Sequence, residues 1–220
     1  MTTYPPGRRT AALLLLAVSA CAPAAQAPDA SAPQPRAAAS HARALADSVR
    51  RSYTVADVEF MTHMIGHHAQ AIEMARWAPT HEANPSVRRL AERIINAQQD
   101  EIATMQQWLR VRKLPVPEGD PGAIAVLMNG HGGHDGHVML MPGMLTADQM
   151  RQLDAARGPE FDRRFLTFMI HHHKGALTMV EQLFGSHGAA QEDTIFKFAS
   201  DVSADQSTEV ARMQTMLAAM

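Results

Sequence analysis

The sequence predicts an all-α protein, a four-helix bundle built from two repeated helical hairpins joined by a long crossover loop. Three observations predict it. Apolar residues recur at helical spacing, helix-start signals precede the long periodic stretches, and a stretch beginning at Phe60 is echoed 105 residues later. Nowhere does the chain show the alternation of a half-buried strand.

The N-terminus carries Arg8 and Arg9, the apolar run Ala11 to Val18, and small residues leading to Cys21. A spanning helix needs about 20 apolar residues, so residues 1–20 are expected to be a cleaved secretory signal peptide. Val18-Ser19-Ala20-Cys21 resembles a bacterial lipobox, which implies cleavage before Cys21 and lipidation of its sulfur. As the sole cysteine, Cys21 leaves no intramolecular disulfide, Cys-based zinc knuckle, redox pair or c-type haem attachment to consider. Without residues 1–20 the chain keeps 18 basic and 22 acidic residues, a formal charge of −4, which argues against nucleic acid as a partner. Residues 21–45 are rich in alanine, proline, glutamine and serine and have almost no large apolar side chain, so they read as a flexible tether. Residues 46–220 are enough for one compact domain.

Within that domain Thr54-Val55-Ala56-Asp57 forms a capping-box-like start to a helix expected to reach about Ala78. Asn84-Pro85 starts a second, with asparagine as N-cap and proline in the first turn, and Leu114-Pro115-Val116-Pro117 stops it. Glu118 to Leu145 reads as a loop, with a short helix near Ile124 as an option. Thr146, with Gln149 three residues on, caps a short helix to Arg157. A long helix follows from Pro159 to Phe184, stopped by Gly185, and a last one runs from Glu192 to the C-terminus.

The repeat pairs Phe60-Met61-Thr62-His63-Met64-Ile65-Gly66-His67-His68 with Phe165-Leu166-Thr167-Phe168-Met169-Ile170-His171-His172-His173. The helices that follow are related too: Gln98, Glu101, Met105 and Gln106 correspond to Gln206, Glu209, Met213 and Gln214 at an offset of 108. The two copies therefore span about residues 54–112 and 159–219. Neither hairpin can bury both its apolar stripes alone, so the copies should pack on each other about a pseudo-twofold axis.

At about 100° per residue, Phe60, His67, His68, Ala71, Met74 and Ala75 all fall within about 80° of Met64. Met64, His67 and His68 thus lie on the core stripe, and Met169, His172 and His173 do so in the second copy. His63 and His171 lie off it without counterparts and are additional metal-ligand candidates; which two of His171, His172 and His173 coordinate is open, although the helical angles favour the latter two. A single buried histidine is most often a hydrogen-bonded core residue. Two repeated pairs are costly to desolvate and repel when protonated, and a shared metal ion resolves both problems. Imidazole with thioether selects copper, Cu(I) above Cu(II), with zinc as the competitor through histidine alone. The loop string His131, His134, His137, Met139, Met141 and Met144 reads either as a flexible capture site or as a solvated glycine linker. Glu101 and Glu209 read as orienters of the histidines or as ordinary surface carboxylates. A di-iron bundle site is excluded by the absence of Glu-x-x-His, and no nucleophile motif is present.

The doubled Phe-x-x-x-Met-Ile-x-His-His-x-x-Ala unit, the Gln98–Met105 run and Met141-Pro142-Gly143-Met144-Leu145-Thr146 resemble the domain of unknown function 305 family, over roughly Val55 to Leu217. The resemblance implies a ferritin-like helical fold and exported copper binding of the CopM-like kind, with ligands at Met64, His67, His68, Met169, His172 and His173 and weaker additions at Met141 and Met144. The expectation is a lipoprotein of the cell envelope that sequesters copper or transfers it to a partner protein, without turnover. Ala22 points to the outer membrane if the source is Gram-negative. The competing readings are a metal-dependent oxidase or hydrolase with Glu101 or Glu209 as base, and a structural lipoprotein whose histidines only pack.

Overall fold

The computed structural model describes residues 53–118 and 140–220. The signal segment, Cys21, the tether, the Ile124 region, His131, His134, His137 and Met139 fall outside the described residues. Five α-helices and no strand are present among the described residues: α1 (Val55–Arg76), α2 (Pro85–Val111), α3 (Ala147–Ala155), α4 (Gly158–Gly185) and α5 (Asp193–Ala218).

Each start follows from local chemistry. The Thr54 side chain accepts from the Asp57 N–H, and the Asp57 carboxylate accepts from the Thr54 N–H at 2.7 Å, a complete capping box. Asn84 caps α2 with Pro85 at its first position, and Thr146 with Gln149 closes a second capping box on α3. The two hairpin turns match as well. Glu82 and Ala190, equivalent at the offset of 108, both take left-handed backbone with φ of 57° and 54°.

The copies are bound by reciprocal clamps. Buried Asp57 at the start of α1 accepts the Ala190 N–H of the second hairpin's turn at 2.7 Å. Its repeat equivalent, Asp162 at the start of α4, accepts the Asn84 N–H of the first hairpin's turn at 3.0 Å. At the other pole of that contact Arg112 lies 4.1 Å above the Trp108 ring and pairs with Glu192, fixing the end of α2 to the start of α5.

Packing runs through α1 on α2, α4 on α5, and α1 on α4, with α3 laid on α4. Glu59 and His63 of α1 share a cleft with Met179 and Gln182 of α4, while His67 meets His172, so α1 and α4 are antiparallel. Their seam carries two apolar clusters. One gathers Phe60 to Ile65, Met105 to Leu109, Ala176 to Leu183 and Ile195 to Val202; the other gathers Ala71 to Ala78, Val87 to Ile94, Phe161 to Met169 and Met213. Between them every long helix contributes a buried polar side chain: His67, His68 and Gln70 from α1, Gln98 from α2, His172 and His173 from α4, and Gln206 from α5. The core is two apolar blocks separated by a polar slab. No described helix is long and apolar enough to cross a membrane.

Candidate metal centre

The slab's four histidines occupy positions that correspond at the offset of 105. His67 and His172 come from equivalent positions of antiparallel α1 and α4 and stack across the seam with ring centroids 3.8 Å apart at 40°. Adjacent rings within each copy stand 6.4 and 6.3 Å apart, as two residues about 100° apart on a helix must. All four imidazoles are essentially sealed from solvent, at 0–1% exposure, as are Met64 and Met169 at 0%. The helical-wheel expectation for these six residues is met.

The four rings do not all face one another, however. His68 Nε2 meets Glu101 Oε2 on α2 at 2.7 Å, and His173 Nε2 meets Glu209 Oε2 on α5 at 2.7 Å, a matched pair of bonds from the two copies. Of the two readings open for these carboxylates, the contact places them on the histidines. His67 Nε2 donates to the Pro142 carbonyl at 2.9 Å. A neutral imidazole that donates from Nε2 carries its lone pair at Nδ1. The Nδ1 atoms of His67, His68 and His173 have no partner among the described residues, and His172 has none at either nitrogen. Buried polar atoms are almost always paired, so five orphaned imidazole nitrogens in one layer are an exception, and since neutral His172 keeps one N–H they amount to four ring lone pairs that an ion could engage. The amides of Gln98 and the Oε1 of Gln206, equivalent positions in the same layer, are orphaned too.

Electrostatics keep the donors available. Burial, reinforced by the neighbouring His68 and opposed by the Pro142 carbonyl, pushes the His67 ring down to about 3. Burial and then the closeness of His67 hold His172 well below the ordinary imidazole range. Outside the slab the rim is acidic: burial, then Glu101, Glu209 and Asp201, raise the Asp205 carboxyl, and Asp205, Asp201 and Glu101 line a groove between α2 and α5. Among the described residues no three His, Cys, Asp or Glu side chains already converge as a metal-holding set, so an ion here would need the thioethers as well.

The remaining sequence candidates separate. Met141 and Met144, at 7% and 9% exposure, join the apolar cluster on the Met64 side. His171 is exposed, and His63 is half-buried in a separate cleft, its ring lowered by burial against the pull of Glu59. Three contributors were missed by sequence reasoning. The Pro142 carbonyl reaches His67 only because residues 141–145 lie across the α1–α4 seam. Gln70 holds them there, donating to the Leu145 carbonyl at 3.0 Å and accepting from the Leu145 N–H at 2.8 Å. A Cβ on Gly175 would sit 2.0 Å from the Pro142 carbonyl oxygen, so only glycine admits this loop. Gln70 and Gly175 are equivalent positions where the repeat breaks, and the break was the available clue.

The profile of the domain of unknown function 305 family matches residues 57–217, which covers both hairpins and the slab. The chain belongs to this family. Among solved structures, a domain of unknown function 305 protein of Streptomyces coelicolor is 28% identical with a TM-score of 0.60, across 74% of this chain and 92% of that one. CopM in its Cu(II)-bound form is 29% identical with a TM-score of 0.56, across 73% of this chain and 95% of that one, and CopM is also solved with Cu(I). An uncharacterised protein of Acanthamoeba polyphaga mimivirus is 36% identical over 67 residues, 30% of this chain; the chain spans 44% of that relative's length.

Proposed function

We propose that this member of the domain of unknown function 305 family binds copper in the slab between its two hairpins, holding it without chemical turnover. The carrying observation is the layer of four buried, uncharged-by-environment or carboxylate-held imidazoles whose Nδ1 atoms all lack partners. Met64, His67, His68, Met169, His172 and His173 are the ligand candidates. The Glu101 and Glu209 carboxylates fix the rings they touch, as outer partners of metal-bound histidines do. Thioether beside neutral imidazole favours Cu(I), with Cu(II) also accepted and zinc competing through the imidazoles. Likeness to CopM, a protein solved with Cu(I) and Cu(II), supports the same ion class. Tethering at a lipidated Cys21 on an envelope membrane, facing the periplasm, would place this site for copper sequestration or transfer to a partner protein.

The test is a competition titration of the purified protein with Cu(I), Cu(II) and Zn(II), beside variants Met64→Leu/Met169→Leu and His67→Ala/His172→Ala, with circular dichroism to verify folding. Stoichiometric Cu(I) binding weakened in both folded variants is the expected result. Binding untouched by either double change would transfer the function to the loop holding His131, His134 and His137, and absence of binding in the parent would leave packing as the histidines' role.

A further inference from the structure

Outside the slab, α1 and α4 enclose a cleft of ≈ 120 Å³ whose polar wall is Glu59, His63 and Gln182 and whose apolar wall includes Phe60, Met179 and Leu183. His63 is half-buried on that wall, four residues after Glu59 on α1. The Met179 side chain is 7% exposed and forms part of the cleft's lining, so one thioether and one imidazole from opposite helices border the same space, with a carboxylate one turn from the imidazole. That is a smaller copy of the donor chemistry in the slab. His63 stands one turn before His67 on α1, so the cleft is the next position along the same seam.

The repeat shows that this composition is not a by-product of the fold. At the offset of 105, Met179 corresponds to Met74, His63 to Phe168, Glu59 to Arg164 and Gln182 to Trp77. The opposite end of the seam thus keeps the methionine but replaces the imidazole with a phenyl ring, the carboxylate with a guanidinium and the amide with an indole. Met74 there is fully buried and Phe168 packs on the second apolar cluster. One end of the seam is open beside the exposed Glu59 carboxylate, and the other is plugged, its Arg164 ion-paired with Glu160.

We infer that the cleft is a second, surface site for a soft monovalent ion, Cu(I), held by His63 and Met179 with Glu59 supplying charge, at the open end of the seam that leads to the slab. The inference rests on the copper reading of the slab, and the experiment separates the two. Ag(I) serves as a redox-inert probe added to the folded full chain, followed by the ring-nitrogen resonances of His63, His67 and His172 and the methyl resonance of Met179. Shifts at His63 and Met179 together, beside those of the slab histidines, are expected. In His63→Phe, which installs the residue of the plugged end, the Met179 response should require at least about tenfold more Ag(I), the least that losing even a ligand's partner costs, while the slab histidines still respond. Slab shifts without any at His63 and Met179 would overturn the cleft site alone. Silence at all four residues would overturn the slab reading with it. Glu59→Gln, a change at an exposed side chain, gives a second variant in which the His63 and Met179 response should weaken; an unchanged response there, with His63→Phe also unchanged, removes the site.

Discussion

His172 is poorly accommodated: 1% exposed, stacked on His67, and without a partner among the described residues for either ring nitrogen. An unsatisfied buried polar group costs about 1–3 kcal/mol. His172→Leu should therefore raise the metal-free protein's stability by about that amount in chemical denaturation while weakening Cu(I) binding, a trade expected of a residue kept for binding. A variant that is destabilised instead would mean that the ring is held by an interaction that leucine cannot replace. The acid response is set by the same residues. His67 titrates at about 3 in the fold and near 6.5 when unfolded, so the unfolded chain takes up the proton first. Its contribution to stability is whole above 6.5 and declines as pH falls from there toward 3. For His67 alone the loss between pH 6.5 and pH 5 is about 2 kcal/mol, at about 1.4 kcal/mol per pH unit, and His172 adds to it in the same direction. Denaturant midpoints measured across that range check it, and a flat profile would contradict neutral burial of the pair.

The elements act on the slab through two devices. The first is the 141–145 segment, held by Gln70 and admitted by Gly175, which supplies the Pro142 carbonyl to His67. Gly175→Ala drives a methyl group into the Pro142 backbone, so the segment must lift. The expected loss is about 1–3 kcal/mol, as for overpacked sites generally, accompanied by a change in the His67 ring resonances, while Ala176→Gly, one residue on, should leave those resonances in place. The second device is the pair of clamps at Asp57 and Asp162. Asp57→Ala removes a capping interaction, about 1 kcal/mol, and orphans the Ala190 N–H that it accepts. With a hydrogen bond to a charged group contributing about 1.5–3 kcal/mol, a total near 3 kcal/mol is expected in equilibrium unfolding. A cost no larger than that of a surface cap would show that the hairpins hold together without the clamp.

At the scale of the molecule, a polar slab between two apolar blocks weakens the metal-free bundle at its middle, where an ion would add most. A ligand bound only by the folded state stabilises it by about 2.7 kcal/mol at a free concentration 100 times its Kd. Thermal unfolding with buffered Cu(I) should shift upward accordingly, with a smaller shift for Zn(II), which gains nothing from the thioethers. An identical melting curve with and without Cu(I) would be incompatible with a slab site. The fold's approximate symmetry also makes the site's asymmetries visible: His63 against Phe168, and Gln70 against Gly175, are two of the places where one copy departs from the other, and each borders the slab or its seam.

Periodicity, caps and the repeat were enough to read the helices to within a residue or two and to put Met64, His67, His68, Met169, His172 and His173 on the buried stripe, because those features are encoded by spacing along one chain segment. Thr54, Asn84 and Thr146 were legible as caps for the same reason, since an N-cap bonds within its own first turn. Only the tertiary structure decided which way each imidazole points. Glu101 and Glu209 turn His68 and His173 toward α2 and α5, and the Pro142 carbonyl turns His67 toward a loop 75 residues away in sequence. Those partners are chosen by how antiparallel helices settle against one another, and the spacing of residues within a single helix carries no record of that contact.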